Sequence, residues 1–204
     1  MIVVLDYRMG NPGSIVNMLR HVGVPAELSA DPERIMAAER LILPGVGSFD
    51  AGMSNLADLG LIPVLEEKVL ARGAPLLGIC LGMQLLSERS QEGVLPGLGW
   101  VPGQTVRLAF DQKASGLKIP HMGWNTVEPR NGAGLFAGLE DEPRFYFVHS
   151  YHVVCRDAQD VAGVTHHGHD FTSALRRGNV MGTQFHPEKS HRFGLRLFQN
   201  FVEM

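Results

Sequence analysis

Residues 75–86 have the sequence Pro75-Leu76-Leu77-Gly78-Ile79-Cys80-Leu81-Gly82-Met83-Gln84-Leu85-Leu86, an apolar run that leads into a cysteine flanked by glycines. This pattern predicts a buried strand, a sharp turn with Cys80 at its apex and then a helix, the cysteine form of the nucleophile elbow. Gly78 and Gly82 lack Cβ atoms, so the strand and the helix can approach each other closely. The sulfur would lie at a helix N-terminus, where unpaired N–H groups and the macrodipole favour a nucleophilic thiolate.

The same residues also fit a structural cysteine in a strand, because free cysteine is among the most buried residue types. A nucleophilic thiol needs a base, and the base needs an orienting group. His186 and Glu188 follow a predicted strand and are two residues apart, so in an extended backbone their side chains point to the same side. Pro187 biases His186 towards that conformation. A lone histidine is more often structural, but its combination with the elbow favours a catalytic Cys80–His186–Glu188 triad.

The composition limits the class of protein. The chain has 204 residues, of which 45% are hydrophobic, which is enough for one sizeable core and predicts a single domain over residues 1–204. A formal net charge of -3 argues against a nucleic-acid-binding surface. Two cysteines are too few for a disulfide framework, and no apolar run approaches the ~20 residues of a membrane span. We therefore expect a cytoplasmic protein with neither nucleic acid nor membrane as a partner.

The order of predicted elements indicates an α/β fold. In the first half, short apolar strands alternate with helices, which favours a mostly parallel central sheet flanked by helices. After Glu88 the segments become extended, and a turn at residues 177–179 indicates a hairpin. A final helix is expected to begin near Ser190. We therefore predict a parallel central sheet with an additional antiparallel or mixed sheet.

Acyl transfer also needs hydrogen-bond donors for the developing oxyanion. The Leu81 N–H follows the nucleophile directly, and the loop Pro44-Gly45-Val46-Gly47 follows a neighbouring predicted strand. A Pro-Gly pair is often only a turn, and no Gly-Lys-Ser/Thr follows to make a P-loop. We predict that the Leu81 N–H is one donor and that the N–H of Val46 or of Gly47 is the second.

The remaining histidines and the second cysteine have simpler interpretations. His166, His167 and His169 are close in sequence, but no cysteine or further histidine falls at ligand spacing nearby, and the segment is typical of a turn. We expect neither a metal nor a cofactor. Cys155 lies in a strand-like run without an elbow, which favours a place in the core.

With Cys80, His186 and Glu188 identified, the chain resembles the class I (triad) glutamine amidotransferases. The motifs Gly-Ile-Cys-Leu-Gly-Met-Gln and Gln-Phe-His-Pro-Glu-Lys-Ser carry this resemblance. Four further segments resemble, more narrowly, the HisH family of imidazole glycerol phosphate synthase subunits, and they are Asp6-Tyr7-Arg8-Met9-Gly10-Asn11, Pro44-Gly45-Val46-Gly47-Ser48-Phe49, Ile119-Pro120-His121-Met122-Gly123-Trp124-Asn125 and Tyr146-Phe147-Val148-His149-Ser150-Tyr151. The resemblance extends over essentially the whole chain.

The resemblance implies a glutaminase. Cys80 would attack the side-chain amide of L-glutamine to form a glutamyl thioester, His186 would protonate the departing ammonia and activate water, and Glu188 would orient His186. Gln84 lies four residues beyond Cys80 and would share its helix face. The residues that would hold the substrate by similarity are Gly47, Gln84, Glu92, His149, Ser150 and Tyr151.

The resemblance also implies a partner, the (β/α)8-barrel cyclase subunit HisF. Ammonia would pass through the barrel to PRFAR, which HisF converts to imidazole glycerol phosphate and AICAR in histidine biosynthesis. The docking surface would include Asn11, Trp124, Tyr146 and Lys189, although an exposed lysine is also an ordinary solvated residue. Arg8 stands where members of the family usually carry glycine or another small residue.

Three other interpretations remain open from the sequence. The amidotransferase subunits of anthranilate and aminodeoxychorismate synthases usually carry Pro-Gly-Pro-Gly in place of Pro-Gly-Val-Gly, and they lack Pro-His-Met-Gly-Trp-Asn. A docking subunit without activity would not need an intact Cys80, His186 and Glu188. A cysteine peptidase on a related elbow fold would hydrolyse peptides rather than glutamine.

Overall fold

The computed structural model describes residues 1–10, 12–131, 134–139 and 142–204, in which strands and helices alternate in the first half and strands predominate in the second. The strands in chain order are β1 (Ile2–Leu5), β2 (Ala26–Ser29), β3 (Arg40–Leu43), β4 (Leu76–Ile79), β5 (Gly103–Arg107), β6 (His121–Thr126), β7 (Glu128–Pro129), β8 (Arg144–His149), β9 (Tyr151–Cys155), β10 (Val161–His166), β11 (Asp170–Arg177) and β12 (Val180–Thr183). The sequence predicts extended segments over residues 2–5, 40–43 and 151–155, and β1, β3 and β9 have these bounds.

The helices cover both faces of the main sheet. They are α1 (Pro12–His21), α2 (Pro32–Ala37), α3 (Phe49–Asp58), α4 (Leu61–Leu65), α5 (Leu81–Leu85), α6 (Gln112–Ser115) and α7 (His191–Glu203). The sequence predicts one helix over residues 61–72, and the structure has α4 followed there by a π-helical segment, Glu66–Ala71. The sequence Asp31-Pro32-Glu33 predicts a helix start, and Asp31 caps α2, because its side chain accepts a hydrogen bond of 2.9 Å from the N–H of Glu33. No helix within the described residues is both long and apolar enough to span a bilayer.

The main sheet is parallel in its first half and antiparallel in its second. Five parallel strands lie in the order β2-β1-β3-β4-β12, and β12 then pairs antiparallel with β11 in the predicted hairpin. Strands β10, β7, β9 and β5 extend the sheet with antiparallel pairs. Strands β6 and β8 form a separate antiparallel sheet. The predicted α/β class, with a parallel central sheet and an additional antiparallel sheet, is confirmed.

Two apolar clusters fill the space between the sheet and the helices. On one face, α1 and α7 pack against the sheet, and Leu197, Phe198 and Phe201 of α7 are fully buried, as their spacing predicts. On the other face, α3, α4 and α5 contribute Phe49, Leu65 and other buried side chains. The parallel strands are therefore covered on both sides, which explains their uniformly apolar sequences.

The close packing of α5 on the sheet depends on a glycine. A Cβ atom on Gly82 would lie 1.9 Å from the carbonyl oxygen of Leu43, so only glycine fits between α5 and β3. The carboxyl ends of β3, β4 and β12 meet at this edge of the sheet. Segments that follow parallel strands at such an edge commonly form a site, and all three predicted catalytic segments begin there.

Candidate active site

Cys80 lies at the sharp bend between β4 and α5. Its φ of 54° and ψ of -109° are rare for a residue with a side chain, and they are the strained backbone that an elbow requires. The Cys80 N–H donates a hydrogen bond of 2.7 Å to the carbonyl oxygen of Thr183, which ties the bend to β12. The bend directs the thiol into a cavity of about 250 Å³, whose walls include Val46, Gly47, Cys80, Leu81, Gln84, Glu92, Pro120, Val148, His149, Ser150, Tyr151 and His186.

His186 reaches this cavity from the end of β12, and Glu188 lies behind it. The Nδ1 atom of His186 lies 2.7 Å from Oε1 of Glu188, and both side chains are buried. The backbone is extended at His186, but residues Pro187–Lys189 form a single 3-10 turn. The prediction of an extended backbone across the whole motif is therefore wrong, because the turn, rather than strand alternation, brings Glu188 back to the imidazole.

The position of the turn is fixed by contacts with β8 and α7. The N–H of His186 donates to the carbonyl oxygen of Tyr146 at 2.9 Å, and the Ser190 hydroxyl donates to the carbonyl oxygen of His186 at 2.6 Å. The same hydroxyl accepts from the Tyr146 N–H at 3.0 Å. A Cβ atom on Gly194 would lie 1.8 Å from the carbonyl oxygen of Pro187, so α7 packs directly on the turn.

The electrostatics of His186 favour its charged form. Burial alone would lower its pKa, but Cys80 and Glu188 outweigh that effect and raise the pKa to about 9. Its Nε2 atom is buried and makes no hydrogen bond of standard geometry to any described residue. A proton on Nε2 is therefore available to the Cys80 thiol and to a molecule bound in the cavity. An ion pair of thiolate and imidazolium needs this arrangement.

The Cys80 sulfur has a further polar neighbour that sequence reasoning missed. Nε2 of Gln184 lies 3.7 Å from Sγ, and the carbonyl oxygen of Val148 lies 3.9 Å from it. Gln184 is fully buried just beyond β12. The sequence did contain a signal for this contact, since Gln184 is a polar residue in an apolar strand-like run, two residues before His186. A polar side chain buried in such a run needs a hydrogen-bond partner.

Three of the residues predicted to hold substrate meet at one carbonyl oxygen, that of Tyr151. Gln84 donates to this oxygen from Nε2 at 3.0 Å, and Nδ1 of His149 lies 2.8 Å from it. Ser150 lies between His149 and Tyr151 in the wall of the same cavity. Gln84 also donates to Oε1 of Gln184 at 3.0 Å, which links this group to the neighbour of the sulfur.

Glu92 reaches the cavity from the loop after α5. Its Oε2 atom accepts a hydrogen bond of 2.8 Å from the N–H of Phe49, the first residue of α3. The sequence supplied only a family resemblance for Glu92, and the structure brings it into the same cavity as Cys80 and Gln84. Gly47 lines the cavity beside it with a φ of 135°, a backbone conformation that favours glycine.

The two predicted oxyanion donors lie on adjoining segments. The Leu81 N–H donates to the carbonyl oxygen of Gly45 at 3.3 Å, so one donor is occupied by the loop itself. Val46, the other, is half exposed at the mouth of the cavity. The Tyr7 hydroxyl donates to the carbonyl oxygen of Pro44 and anchors the start of the loop.

The predicted docking residues form a cluster beside the cavity. The rings of Trp124 and Tyr146 are 6.3 Å apart, and Nζ of Lys189 lies 5.8 Å from the centre of the Tyr146 ring. His191, which sequence reasoning missed, stacks on Trp124 at 5.4 Å. Asn11 lies outside the described residues. Arg8, on the preceding loop, has a φ of 66°, a left-handed conformation that favours glycine.

The three neighbouring histidines of residues 166–169 have separate partners. His166 pairs with Asp170 at 2.7 Å, His167 lies 2.9 Å from the carbonyl oxygen of Lys118, and His169 lies 3.5 Å from His152. Among the residues that the structure describes, no group of three or more His, Cys, Asp or Glu side chains is arranged to hold a metal ion.

Comparison with known proteins agrees with this geometry. The family model for glutamine amidotransferase class-I matches residues 3–204. A Pseudomonas aeruginosa protein named imidazole glycerol phosphate synthase subunit HisH 2 is 50% identical over the full length of both chains. A Methanococcus maripaludis protein of the same name is 51% identical over 100% of this chain and 99% of that protein.

Solved structures support the fold. The structure of PurLQS from Thermotoga maritima superposes with a TM-score of 0.71 at 20% identity, covering 99% of this chain and 97% of that chain. At 20% identity this likeness shows the fold alone. The family model and the two relatives at 50% and 51% identity show similarity in sequence as well. The chain therefore belongs to the class-I glutamine amidotransferases and, within them, to the HisH family of imidazole glycerol phosphate synthase subunits.

Proposed function

We propose that this chain is a glutaminase subunit that hydrolyses L-glutamine with Cys80, His186 and Glu188 and passes ammonia to a HisF cyclase in histidine biosynthesis. The observation that carries the proposal is the position of His186, whose Nδ1 lies 2.7 Å from Oε1 of Glu188. Burial lowers the pKa of His186, but its interactions with Cys80 and Glu188 outweigh this effect and raise the pKa to about 9. An imidazole held in this way next to a thiol at an elbow is the arrangement that covalent acyl transfer needs.

In the first half of the reaction, the Cys80 thiolate attacks the side-chain amide carbon of glutamine, and a C–S bond forms. The negative charge moves to the amide oxygen, which accepts hydrogen bonds from the N–H groups of Leu81 and Val46 once the Gly45 carbonyl has turned away. The His186 imidazolium donates its Nε2 proton to the amide nitrogen. The C–N bond then breaks, ammonia leaves and a glutamyl thioester remains.

In the second half, the neutral imidazole of His186 accepts a proton from water. The hydroxide attacks the thioester carbon, the C–S bond breaks, and glutamate leaves with Cys80 restored as a thiolate and His186 as an imidazolium. Glu188 stabilises the imidazolium in both halves without itself becoming protonated. The proposed substrate contacts come from the cavity wall, and they are Gly47, Gln84, Glu92, His149, Ser150 and Tyr151.

The proposed partner is the (β/α)8-barrel cyclase HisF, bound as a heterodimer. Tyr146 supports a docking surface because its carbonyl oxygen accepts a hydrogen bond from the His186 N–H, and Trp124 and Lys189 lie beside the Tyr146 ring. Asn11 is proposed as a further contact. A partner docked at the mouth of the cavity can receive ammonia directly, before water protonates it and removes its nucleophilicity.

We propose that residues 1–204 form one domain, since the three catalytic segments follow strands of a single sheet. A cytoplasmic location is also proposed, because the chemistry needs the Cys80 thiol to stay reduced. Neither a metal nor a cofactor takes part in the proposed steps.

The test is Cys80→Ala in the complex with the barrel cyclase. Formation of imidazole glycerol phosphate from PRFAR is measured with glutamine and, separately, with ammonium chloride at alkaline pH. We expect the variant to lose the glutamine-dependent reaction and keep the ammonia-dependent one. The matched control is Cys155→Ala, which removes the other thiol, on β9. Normal glutamine turnover by Cys80→Ala would refute the assignment of the nucleophile.

A further inference from the structure

We propose that Gln184 is an additional catalytic residue, which donates an amide N–H to the Cys80 sulfur and stabilises the thiolate. This inference rests on the proposed role of Cys80 as the nucleophile. The Nε2 atom of Gln184 lies 3.7 Å from Sγ, and the side chain is fully buried. Its main chain is anchored as well, because the Gln184 N–H donates to the carbonyl oxygen of Ser173 on β11 at 2.9 Å.

The orientation of the Gln184 amide follows from a single main-chain carbonyl. The Tyr151 oxygen can only accept, so the Gln84 atom 3.0 Å from it is the amide nitrogen. That nitrogen can only donate, and it also lies 3.0 Å from the Gln184 amide, so the Gln184 atom that faces it is the oxygen. The Gln184 nitrogen is therefore the atom that faces Cys80.

A second branch from the same carbonyl fixes two histidine tautomers. Nδ1 of His149 lies 2.8 Å from the Tyr151 oxygen and must carry a hydrogen. Burial lowers the pKa of His149 to about 3, despite the opposing hydrogen bond to Tyr151, so its Nε2 is a bare acceptor. This Nε2 lies 3.0 Å from Nδ1 of His121, which must donate. Nε2 of His121, whose pKa burial lowers to about 4, is then an acceptor too.

The far end of this branch gives the same assignment independently. The Asn125 amide lies with Nδ2 2.9 Å from the carbonyl oxygen of His166, while its Oδ1 accepts from the Thr126 N–H at 2.8 Å. Nδ2 of Asn125 therefore faces Nε2 of His121, 3.2 Å away, as a donor to an acceptor. Because both ends agree, each hydrogen in the chain from Asn125 to the Tyr151 carbonyl has one position.

The Gln184 donor faces the negative charge of the Cys80 thiolate, which is present in the resting site and is restored when the thioester breaks. A hydrogen bond to an ionised group is stronger than one between neutral groups, and the cavity wall keeps it partly shielded from water. The titratable groups that line the cavity or interact with the sulfur are His186 with Glu188 behind it, Tyr7 just after β1, and Glu92, His149 and Tyr151 in the wall.

The experiment measures how fast iodoacetamide alkylates Cys80 in the full chain between pH 5 and pH 10, by mass spectrometry of the Cys80 peptide. We expect Gln184→Met, which removes the donor at similar size, to displace the profile by about one pH unit upward and so to slow alkylation about tenfold at pH values below the wild-type midpoint. Gln184→Glu places a carboxylate next to the thiolate, so its profile should move further in the same direction.

Two references separate chemistry from folding. Burial, with lesser contributions from Asp160 and Asp157, raises the pKa of Cys155 to about 12, so this thiol should react slowly and alike in all variants. Gln159→Met, on the exposed turn before β10, should leave the Cys80 profile unchanged. A Gln184→Met profile within twofold of the wild type, or a Gln184→Glu profile displaced less than that of Gln184→Met, would overturn the inference.

The alkylation experiment can fail separately from the test of the proposed function. Alkylation needs neither glutamine nor the barrel cyclase, so the role of Gln184 can fail while glutamine turnover persists. Conversely, an inactive complex would refute the proposed function and leave the alkylation profiles to be compared as before.

Discussion

Nδ1 of His186 and Oε1 of Glu188 lie 2.7 Å apart, and the two side chains are only 1% and 6% exposed. A buried imidazolium is costly unless a counter-charge accompanies it, and Glu188 supplies that charge at hydrogen-bond distance. The pair therefore both holds the ring and stabilises its proton.

Glu188→Gln keeps a side chain of the same shape but removes the charge. An amide can present either a donor or an acceptor to Nδ1, so the ring is also free to take the wrong tautomer. We expect glutamine hydrolysis in the complex to slow by about 10²- to 10⁴-fold, measured as glutamate release. Glu66→Gln, an exposed change far along the chain in the π-helical segment, is the control. A variant with near-normal turnover would mean that the carboxylate charge is not needed.

The conformation of the loop at residues 44–47 indicates that the chain without its partner has weak glutaminase activity. The Leu81 N–H is occupied by the Gly45 carbonyl oxygen at 3.3 Å, so an oxyanion would find one donor missing. Loss of one such donor typically costs about 10²- to 10³-fold in rate. We expect the isolated chain to release glutamate at least about 10²-fold more slowly than the complex with the barrel cyclase and PRFAR. Equal rates with and without the partner would contradict this explanation.

Gly82→Ala should prevent close packing of α5 on β3. The new Cβ would lie 1.9 Å from the main-chain oxygen of Leu43, which cannot move without disturbing the sheet. We expect a loss of about 3 kcal/mol or more in the free energy of unfolding, measured by urea titration. The control is Gly23→Ala, which meets nothing within 4 Å and suffers only the strain of a φ of 79°, about 1–2 kcal/mol. Equal losses in the two variants would argue against tight packing at Gly82.

Buried neutral histidines should make the protein sensitive to acid. Burial lowers the pKa of His121, His149 and His152 to about 4, 3 and 4. The unfolded chain, with histidine pKa values near 6.5, binds more protons than the folded chain between those values, so stability falls as the pH falls below about 6.5. Each of these histidines should cost up to about 2 kcal/mol at pH 5.

The measurement is urea unfolding at pH 7.5, 6 and 5. His152→Gln should flatten the dependence, because it removes one of the three groups and lies outside the proposed catalytic residues. His186 acts in the opposite direction, since its pKa is raised to about 9. Its contribution is complete below about pH 6.5 and is lost as the pH rises through 9. A free energy of unfolding that does not change between pH 7.5 and pH 5 would contradict the burial of neutral imidazoles.

Local patterns in the sequence were sufficient for much of the fold. The apolar, β-branched runs at β1 and β3 and the glycines around Cys80 act through sterics over a few residues, so strand, elbow and helix could be predicted from neighbours alone. The N-cap at Asp31 is also a local feature, because the N–H that its side chain accepts from belongs to Glu33, two residues away. The family resemblance extended this to residues such as Glu92, for which the local sequence carries no signal.

Only the tertiary structure decided which distant groups touch. The parallel pairing of β4 with β12, with Ile79 opposite Thr183, brings Gln184 and His186 to the sulfur of Cys80. The same packing occupies the Leu81 N–H, forms the 3-10 turn that contains Glu188 and joins His149 to His121. These contacts depend on strand order and register, which hydrogen bonding and burial across the whole sheet determine, and no local pattern of residues encodes them.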